Sequence, residues 1–189
     1  AVDVSFVFYE AEEVAAEFNG LQRIFDERPE LLAGDVALLG EPTNGEIEAG
    51  CQGVLRFWLT LKGVRAHTAR PWMGRNAIHR LATVLEVLDQ WPGRNPVVDG
   101  CTYRESLQAV RIEGGIAGNV VPDRARVLIA HRFAPDRTSD EAMEALLALL
   151  APVMEPDDEI EVDDISHAAQ PGLSHPLLRA LVERNGLTV

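Results

Sequence analysis

The sequence predicts an α/β protein whose main body is interrupted by a smaller α+β domain. Residues 2–39 alternate strand, helix and strand, which is typical of a parallel α/β sheet. The hydrophobic pattern changes near residue 50, and the order β-α-β-β-α-β follows across residues 54–162. A helical pattern returns after about residue 165, where we expect the first body to resume.

The first body is predicted from two apolar segments around one helix. Residues 2–9 alternate in the way of a strand, and residues 18–32 place Leu21, Ile24 and Phe25 at helical spacing. Residues 35–39 form a short apolar run between two glycines, as in a buried strand. We therefore expect a parallel pair of strands here, followed by a loop at the sheet edge where α/β proteins place their sites.

The second domain is predicted to have a ferredoxin-like split β-α-β arrangement. Its expected elements are a strand at 54–62, a helix at 76–91, strands at 107–113 and 126–133, a helix at 139–151 and a short strand at 159–162. Thr138 or Ser139 is the expected N-cap of the second helix.

A third segment is predicted to return to the first body. A helix is expected from 177 to 184, ended by Asn185-Gly186, and residues 187–189 are expected to open a strand. The predicted organisation is therefore residues 1–52 as part of an α/β catalytic domain, 53–165 as an α+β domain and 166–189 as the return. Because both termini fall inside apparent core elements, we expect a fragment of a longer protein.

Composition limits the possible partners and compartment. The 189 residues include 30 acidic and 17 basic side chains, so the net charge is −13, which argues against nucleic acid and anionic membranes as partners. An apolar fraction of 47% predicts a folded globular chain. Two isolated cysteines predict no disulfide framework and a reducing cytoplasm. Neither a transmembrane segment nor a signal peptide is apparent.

Two groups of carboxylates follow the predicted strands of the first body. Glu12 and Glu13 come after the strand at 2–9, and Glu41 comes after the run at 35–39. Carboxylates at neighbouring strand ends can bind Zn²⁺, Mn²⁺ or Co²⁺. An adjacent carboxylate can act as a base that takes a proton from water. The alternative for the Glu12-Glu13 pair is a solvated helix start, where acidic residues are favoured.

Three further residues of the α+β domain could contact a substrate. His67 lies in a loop among small residues, where it could donate a hydrogen bond to a substrate oxygen. Asn119 lies in the loop before the predicted strand at 126–133, and Arg132, at the end of that strand, could bind a carboxylate through two hydrogen bonds. A structural or exposed histidine and an ordinary surface arginine are the alternatives. The sequence contains no HExxH, GxSxG, Walker A or GxGxxG motif at a suitable place.

Taken together, these segments resemble one enzyme family. The order FYEAEEV, LLGEPTNG, GVRAHTARPWMGRNAIH, GGIAGNVVPD and HRFAPD is similar to the middle of M20-type zinc peptidases and deacylases. AGCQG and DGCTYRE make the sequence most similar to the actinobacterial succinyl-diaminopimelate desuccinylases within that family. The resemblance covers nearly the whole chain.

The resemblance implies a two-zinc amide hydrolase with a lid domain that also forms a homodimer. It implies that Glu12 is the general base, that Glu13 and Glu41 each bind one metal ion, and that Co or Mn could replace Zn. It further implies that His67 reaches the partner's site and polarises the amide carbonyl. Asn119 and Arg132 would hold carboxylates of a small acidic amide substrate.

The expected reaction is hydrolysis of N-succinyl-LL-diaminopimelate to succinate and LL-diaminopimelate, within lysine and diaminopimelate biosynthesis. The family's other metal ligands, a His-x-Asp motif, a bridging Asp and a last His, have no match in this chain. We therefore expect the 189-residue chain alone to be inactive. Two alternatives stay open: another M20 deacylase or carboxypeptidase, such as acetylornithine deacetylase, and a non-catalytic dimerisation module.

Overall fold

A computed structural model describes residues 3–12 and 18–189 of the chain. The described residues fall into two compact units, residues 1–42 and 43–189. No helix among the described residues is long and apolar enough to cross a membrane.

The first unit contains one short helix and no strand among its described residues. Helix α1 runs from Gly20 to Glu27, and the Asn19 side chain caps it by accepting hydrogen bonds from the backbone N–H groups of Leu21 and Gln22. A 3₁₀ helix follows at Pro29–Leu32. The helix predicted at 18–32 is therefore confirmed, divided into two pieces.

The two strands predicted in this unit are wrong for the described residues. Residues 3–9 and 35–39 have no strand structure, and Phe6 and Phe8 are 81% and 90% exposed. A strand needs a neighbour to accept and donate its backbone hydrogen bonds, and an alternating pattern reports only that one face is apolar. The predicted parallel pair has no such hydrogen bonds within the described residues.

The second unit is built around a four-stranded antiparallel sheet. Its strands are β1 (Gly53–Lys62), β5 (Ser106–Gly114), β7 (Arg124–Phe133) and β8 (Glu159–Ser166), in the spatial order β5-β7-β1-β8. Short strands form two further antiparallel pairs: β2 (Ala66–His67) with β6 (Val120–Val121), and the hairpin of β3 (Val97–Val98) with β4 (Cys101–Thr102). The predicted β-α-β-β-α-β order is confirmed for the main sheet.

Two helices cover one face of this sheet. Helix α2 (Ala77–Asp89) is capped by Asn76, and helix α3 (Ser139–Leu150) begins with a capping box between Thr138 and Glu141. The core consists of apolar side chains from the sheet and both helices, including Leu55, Phe57, Leu59, Leu61, Val127, Ile129, Phe133, Leu81, Val84, Leu88, Leu146 and Leu150. Burial of these side chains supplies the main stabilisation of the unit.

The face of the sheet opposite helices α2 and α3 carries both charged and apolar side chains. Trp58 of β1 lies on this face, yet it is only 8% exposed, because the Arg126 guanidinium stacks 4.1 Å from its ring centroid.

Helix α4 (Pro176–Asn185) ends at Gly186, whose φ of 60° is left-handed, as the Asn-Gly sequence predicts. The strand expected to open at 187–189 is absent from these described residues.

Candidate functional site

His67 and Asn119 are brought together by the short β2–β6 ladder. His67 stands opposite Val120 in the ladder, and the Thr68 N–H donates a 3.0 Å hydrogen bond to the Asn119 carbonyl oxygen. Both residues are exposed. Two residues that are 52 positions apart in sequence thus lie on one tip of the second unit.

The His67 ring is oriented by a backbone hydrogen bond. The Ala69 N–H donates to His67 Nδ1 at 3.0 Å, so Nδ1 is the acceptor of the neutral ring. The proton of the neutral ring then resides on Nε2, which makes Nε2–H a hydrogen-bond donor on an exposed side chain. This is the tautomer that an oxyanion donor requires. The sequence indicated small residues after His67 but could not reveal this hydrogen bond.

The loop that carries His67 is closed at its base. Val64 and Arg75 exchange two backbone hydrogen bonds of 2.8 Å, and the Gly63 N–H donates to the Asp123 carbonyl oxygen. Gly74 packs against the start of the loop, where an added Cβ would lie 2.6 Å from the Ala66 Cβ. We call residues 65–74 the histidine loop. Its closed base and the packing of Gly74 constrain its backbone.

Arg132 lies at the other end of the sheet. It is the penultimate residue of β7 and is paired with Val54 of β1 and Ser106 of β5. The histidine loop follows Lys62, which pairs with Arg124 at the start of β7. Eight residues of strand separate Arg124 from Arg132, a distance of about 27 Å. One chain therefore does not bring Arg132 together with His67 and Asn119.

The structure describes two of the three candidate carboxylates of the first unit. Glu12 is exposed, and its carbonyl oxygen accepts a 3.3 Å hydrogen bond from the Asn19 side chain. Glu41 is also exposed, and the residues before it do not form the predicted buried strand. Glu13 lies outside the described residues. The convergence of Glu13 and Glu41 thus stays a prediction.

The described residues do not complete a metal centre among themselves. No group of three or more His, Cys, Asp or Glu side chains that could hold an ion is found in the described ranges 3–12 and 18–189. Zinc sites in proteins use three or four protein ligands, more than the two carboxylates assigned here. Glu13 and Glu41 could supply only part of such a site.

A buried cluster of charges that sequence reasoning missed supports the end of β7. The Glu105 carboxylate is fully buried and accepts hydrogen bonds from Arg94, Arg137 and the Ala134 N–H at 2.8–3.0 Å. Arg137 also lies 2.9 Å from Nε2 of His131, whose Nδ1 is 2.8 Å from a backbone oxygen. Burial lowers the pKa of His131. The alternation of β7 could have predicted that His131 faces the core.

The other histidines have structural or surface positions. His167 Nδ1 lies 2.9 Å from the Ser139 hydroxyl, and His175 caps helix α4. His79 is exposed on helix α2. Within residues 43–189, these histidines form no hydrogen bond to the histidine loop.

Comparison with known proteins assigns the family. The family model of the M20 peptidase dimerisation domain matches residues 50–158, more than half of the chain. The chain belongs to the M20 peptidase family. The match covers the four-stranded sheet up to the turn before β8, together with the histidine loop.

Two curated relatives of this M20 chain are actinobacterial. A Mycobacterium tuberculosis protein named as a succinyl-diaminopimelate desuccinylase is 51% identical over 184 residues, which are 97% of this chain and 51% of the relative. The succinyl-diaminopimelate desuccinylase of Corynebacterium glutamicum is 46% identical over 186 residues, 97% of this chain and 50% of the relative. The chain thus spans about half the length of these relatives.

Solved structures support the M20 fold. An M20 family metallo-carboxypeptidase from Sulfolobus solfataricus gives a TM-score of 0.65 at 16% identity, covering 87% of this chain and 50% of that chain. A Staphylococcus aureus tripeptidase gives 0.61 at 18% identity, covering 89% and 45%. At these identities the similarity concerns the fold alone.

Proposed function

We propose that this chain is part of a longer metal-dependent amide hydrolase that converts N-succinyl-LL-diaminopimelate and water to succinate and LL-diaminopimelate in the cytoplasm. Identities of 51% and 46% to proteins named for this activity support the substrate. The structural observation that carries the proposal is the oriented Nε2–H of His67. It suits the stabilisation of negative charge that develops on an amide oxygen.

In the proposed reaction, the residues of this chain transfer a proton, stabilise charge and bind the substrate. Glu12 takes a proton from the attacking water, and the oxygen of that water bonds to the amide carbon. His67 donates a hydrogen bond to the carbonyl oxygen as charge develops there. The C–N bond then breaks, and Glu12 returns the proton to the leaving amine. Asn119 and Arg132 bind substrate carboxylates.

The proposed metal centre would lie only partly in this chain. We propose that Glu13 and Glu41 each contribute a carboxylate to a pair of zinc ions, with Co or Mn as possible replacements. Zinc would act as a Lewis acid that activates water and polarises the carbonyl when it is bound. The remaining ligands would have to come from the rest of the longer protein.

We further propose a homodimer through the α+β domain. The matched family model is that of a dimerisation domain. β5 is an edge strand of the described sheet, and its Val110 and Ile112 side chains are 55% and 49% exposed. An edge strand with exposed apolar side chains favours pairing with a second copy. The proposed dimer would also place His67 at the partner's site.

Substrate assays of the full-length protein test the proposed activity. Hydrolysis of N-succinyl-LL-diaminopimelate and of N-acetylornithine should be measured side by side under the same conditions. We expect the succinyl substrate to have the higher kcat/KM. A preference for acetylornithine or for a peptide would show that the enzyme is a different M20 deacylase or peptidase. A full-length sequence without further metal ligands would favour a non-catalytic module.

Complementation tests whether two subunits share one site. The full-length His67→Ala and Glu12→Ala variants should each be inactive, so their homodimers lack activity. After equal mixing and subunit exchange, half of the dimers contain one intact site, and about a quarter of wild-type activity should return. Without recovery in exchanged dimers, His67 and Glu12 would have to serve the same subunit's site.

A further inference from the structure

Three arginines stand on or beside the histidine loop, and two of them are neutralised by carboxylates. Arg65 pairs with Asp123 at 3.0 Å, and Arg75 pairs with Glu155 at 2.6 Å. Arg65 lowers the pKa of Asp123, and Arg75 lowers that of Glu155, so both partners carry negative charge near neutral pH. Arg70 is exposed and forms no ion pair within residues 43–189, all of which the structure describes.

Six arginines of residues 43–189 form no ion pair within that range, and Arg70 is the one of them that lies on the histidine loop. Acidic side chains exceed basic ones by 30 to 17, so carboxylates are plentiful partners. Most ionic contacts of the second unit are indeed arginine–carboxylate pairs, such as those of Arg56, Arg80, Arg94 and Arg126. A guanidinium that stays unpaired can bind an external carboxylate without first breaking an internal ion pair.

Arg70 is also held close to His67. The Arg70 N–H donates a 2.8 Å hydrogen bond to the His67 carbonyl oxygen, which closes a turn between the two residues. In such a turn the two Cα atoms lie within about 7 Å of each other. Since the loop base is closed and Gly74 packs against Ala66, the backbone of Arg70 is held beside that of His67.

We propose that Arg70 binds a carboxylate of the substrate whose amide oxygen accepts a hydrogen bond from His67. This inference rests on the function proposed above and adds a specificity residue to it. In N-succinyl-LL-diaminopimelate a carboxylate lies on each side of the amide: one ends the acyl chain, and one is on the carbon that bears the amide nitrogen. Both are close to the carbonyl, so the shared chemistry is a carboxylate within reach of the guanidinium fork.

Kinetics of the full-length enzyme test this role with a matched control. Arg70→Met should lower kcat/KM for N-succinyl-LL-diaminopimelate about 100-fold, since two charge-assisted hydrogen bonds are lost. Arg70→Lys should recover only part of the loss, because it keeps the charge without the fork. Arg65→Met, which removes an exposed and already paired arginine of the same loop, should stay within about 3-fold of wild type.

A second substrate identifies the carboxylate. N-butanoyl-LL-diaminopimelate has the same acyl length without the acyl carboxylate. If Arg70 binds the acyl carboxylate, Arg70→Met and wild type cleave this analogue equally well. If Arg70 binds the amino-acid carboxylate, the variant loses the same factor on both substrates. Unchanged kcat/KM in Arg70→Met, or an equal loss in Arg65→Met, overturns the inference.

Direct binding separates this inference from the proposed reaction. Succinate and LL-diaminopimelate should be titrated calorimetrically into the full-length protein and both methionine variants. If wild type does not cleave the succinyl substrate, the proposed function fails. Arg70 then keeps its role only if one ligand binds at least 10-fold more weakly to Arg70→Met than to Arg65→Met. Absent or Arg70-independent binding in that case overturns the inference as well.

Discussion

Asp158 is a buried carboxylate near the base of the histidine loop, and its removal should destabilise the chain strongly. Its side chain is fully buried, and that of Arg80 is only 9% exposed. Arg80 donates two hydrogen bonds of 2.7 Å, one to each carboxylate oxygen. The N–H groups of Lys62 and Glu155 add bonds of 3.0 and 2.8 Å. This one side chain therefore connects helix α2, the end of β1 and the turn before β8.

The size of the effect follows from what Asp158→Ala leaves behind. The Arg80 guanidinium would remain nearly buried without its bidentate partner, and two backbone N–H groups would lose their acceptor. Breaking a buried ion pair costs about 3–5 kcal/mol. Water that enters the vacated space would accept hydrogen bonds from the two N–H groups, so their loss adds little and the free energy of unfolding should fall by an amount in this range. For a chain of this length the melting temperature should fall by roughly 6–20 °C.

Urea denaturation of the 189-residue chain, followed by circular dichroism, measures the loss. Asp163→Ala is the matched control, since Asp163 pairs with Arg56 where the two side chains are 35% and 41% exposed. An exposed pair contributes about 0–1 kcal/mol, so this variant should stay near wild type. A loss below about 1 kcal/mol in Asp158→Ala, or one equal to that of Asp163→Ala, would refute the reasoning.

The pH dependence of stability provides a second test of the role of Asp158. Burial alone would raise the pKa of Asp158, but the hydrogen bonds from Arg80, Lys62 and Glu155 outweigh it and lower the pKa. The stability that the ionised carboxylate contributes is therefore complete above its unfolded pKa of about 4 and is lost as pH falls through the lower folded pKa. The advantage of wild type over Asp158→Asn should thus be constant at neutral pH and shrink below pH about 4.

Four further predictions concern the proposed enzyme and its dimer. In the full-length protein, His67→Ala should lower kcat by roughly 100-fold or more, and an unchanged kcat would reject its role as an oxyanion donor. Glu12→Ala should abolish turnover while metal content stays constant, whereas loss of metal would exchange the roles of Glu12 and Glu13. Elemental analysis of the purified 189-residue chain should find less than one zinc per chain, because most of the proposed ligands are missing. Val110→Lys on edge strand β5 should shift the chain from dimer to monomer in analytical ultracentrifugation, and an unchanged dimer would place the interface elsewhere.

The sequence predicted the second unit well because its strands find their partners within the chain. The apolar alternation of β1 and β7 is matched by a register that pairs Gly53 with Phe133 and Lys62 with Arg124. The same kind of pattern at residues 3–9 and 35–39 gave wrong strands. Periodicity identifies a face that could be buried, but it contains no information about which neighbour will bury it.

The candidate site shows a similar division between chemistry and geometry. Residue types and spacing were enough to select His67, Asn119 and Arg132 as candidates. They could not show that the Ala69 N–H orients the His67 ring or that Arg70 lacks an internal partner, since both depend on how the loop closes. The Glu105 cluster was missed because its members come from three separate stretches of sequence, which only the sheet brings together.

The length of β7 limits what one subunit can do for one substrate. The histidine loop lies beyond the Arg124 end of β7, and Arg132 lies about 27 Å along the strand from Arg124, which exceeds what a small amide substrate spans. If His67 and Arg132 both contact substrate, they do so in different sites, and in a two-fold dimer each site receives His67 from one subunit and Arg132 from the other. Dimer formation would then be a condition for catalysis. Activity of the full-length Val110→Lys variant should therefore depend on protein concentration, following the dimer fraction, and a fully active monomer would contradict this shared-site arrangement.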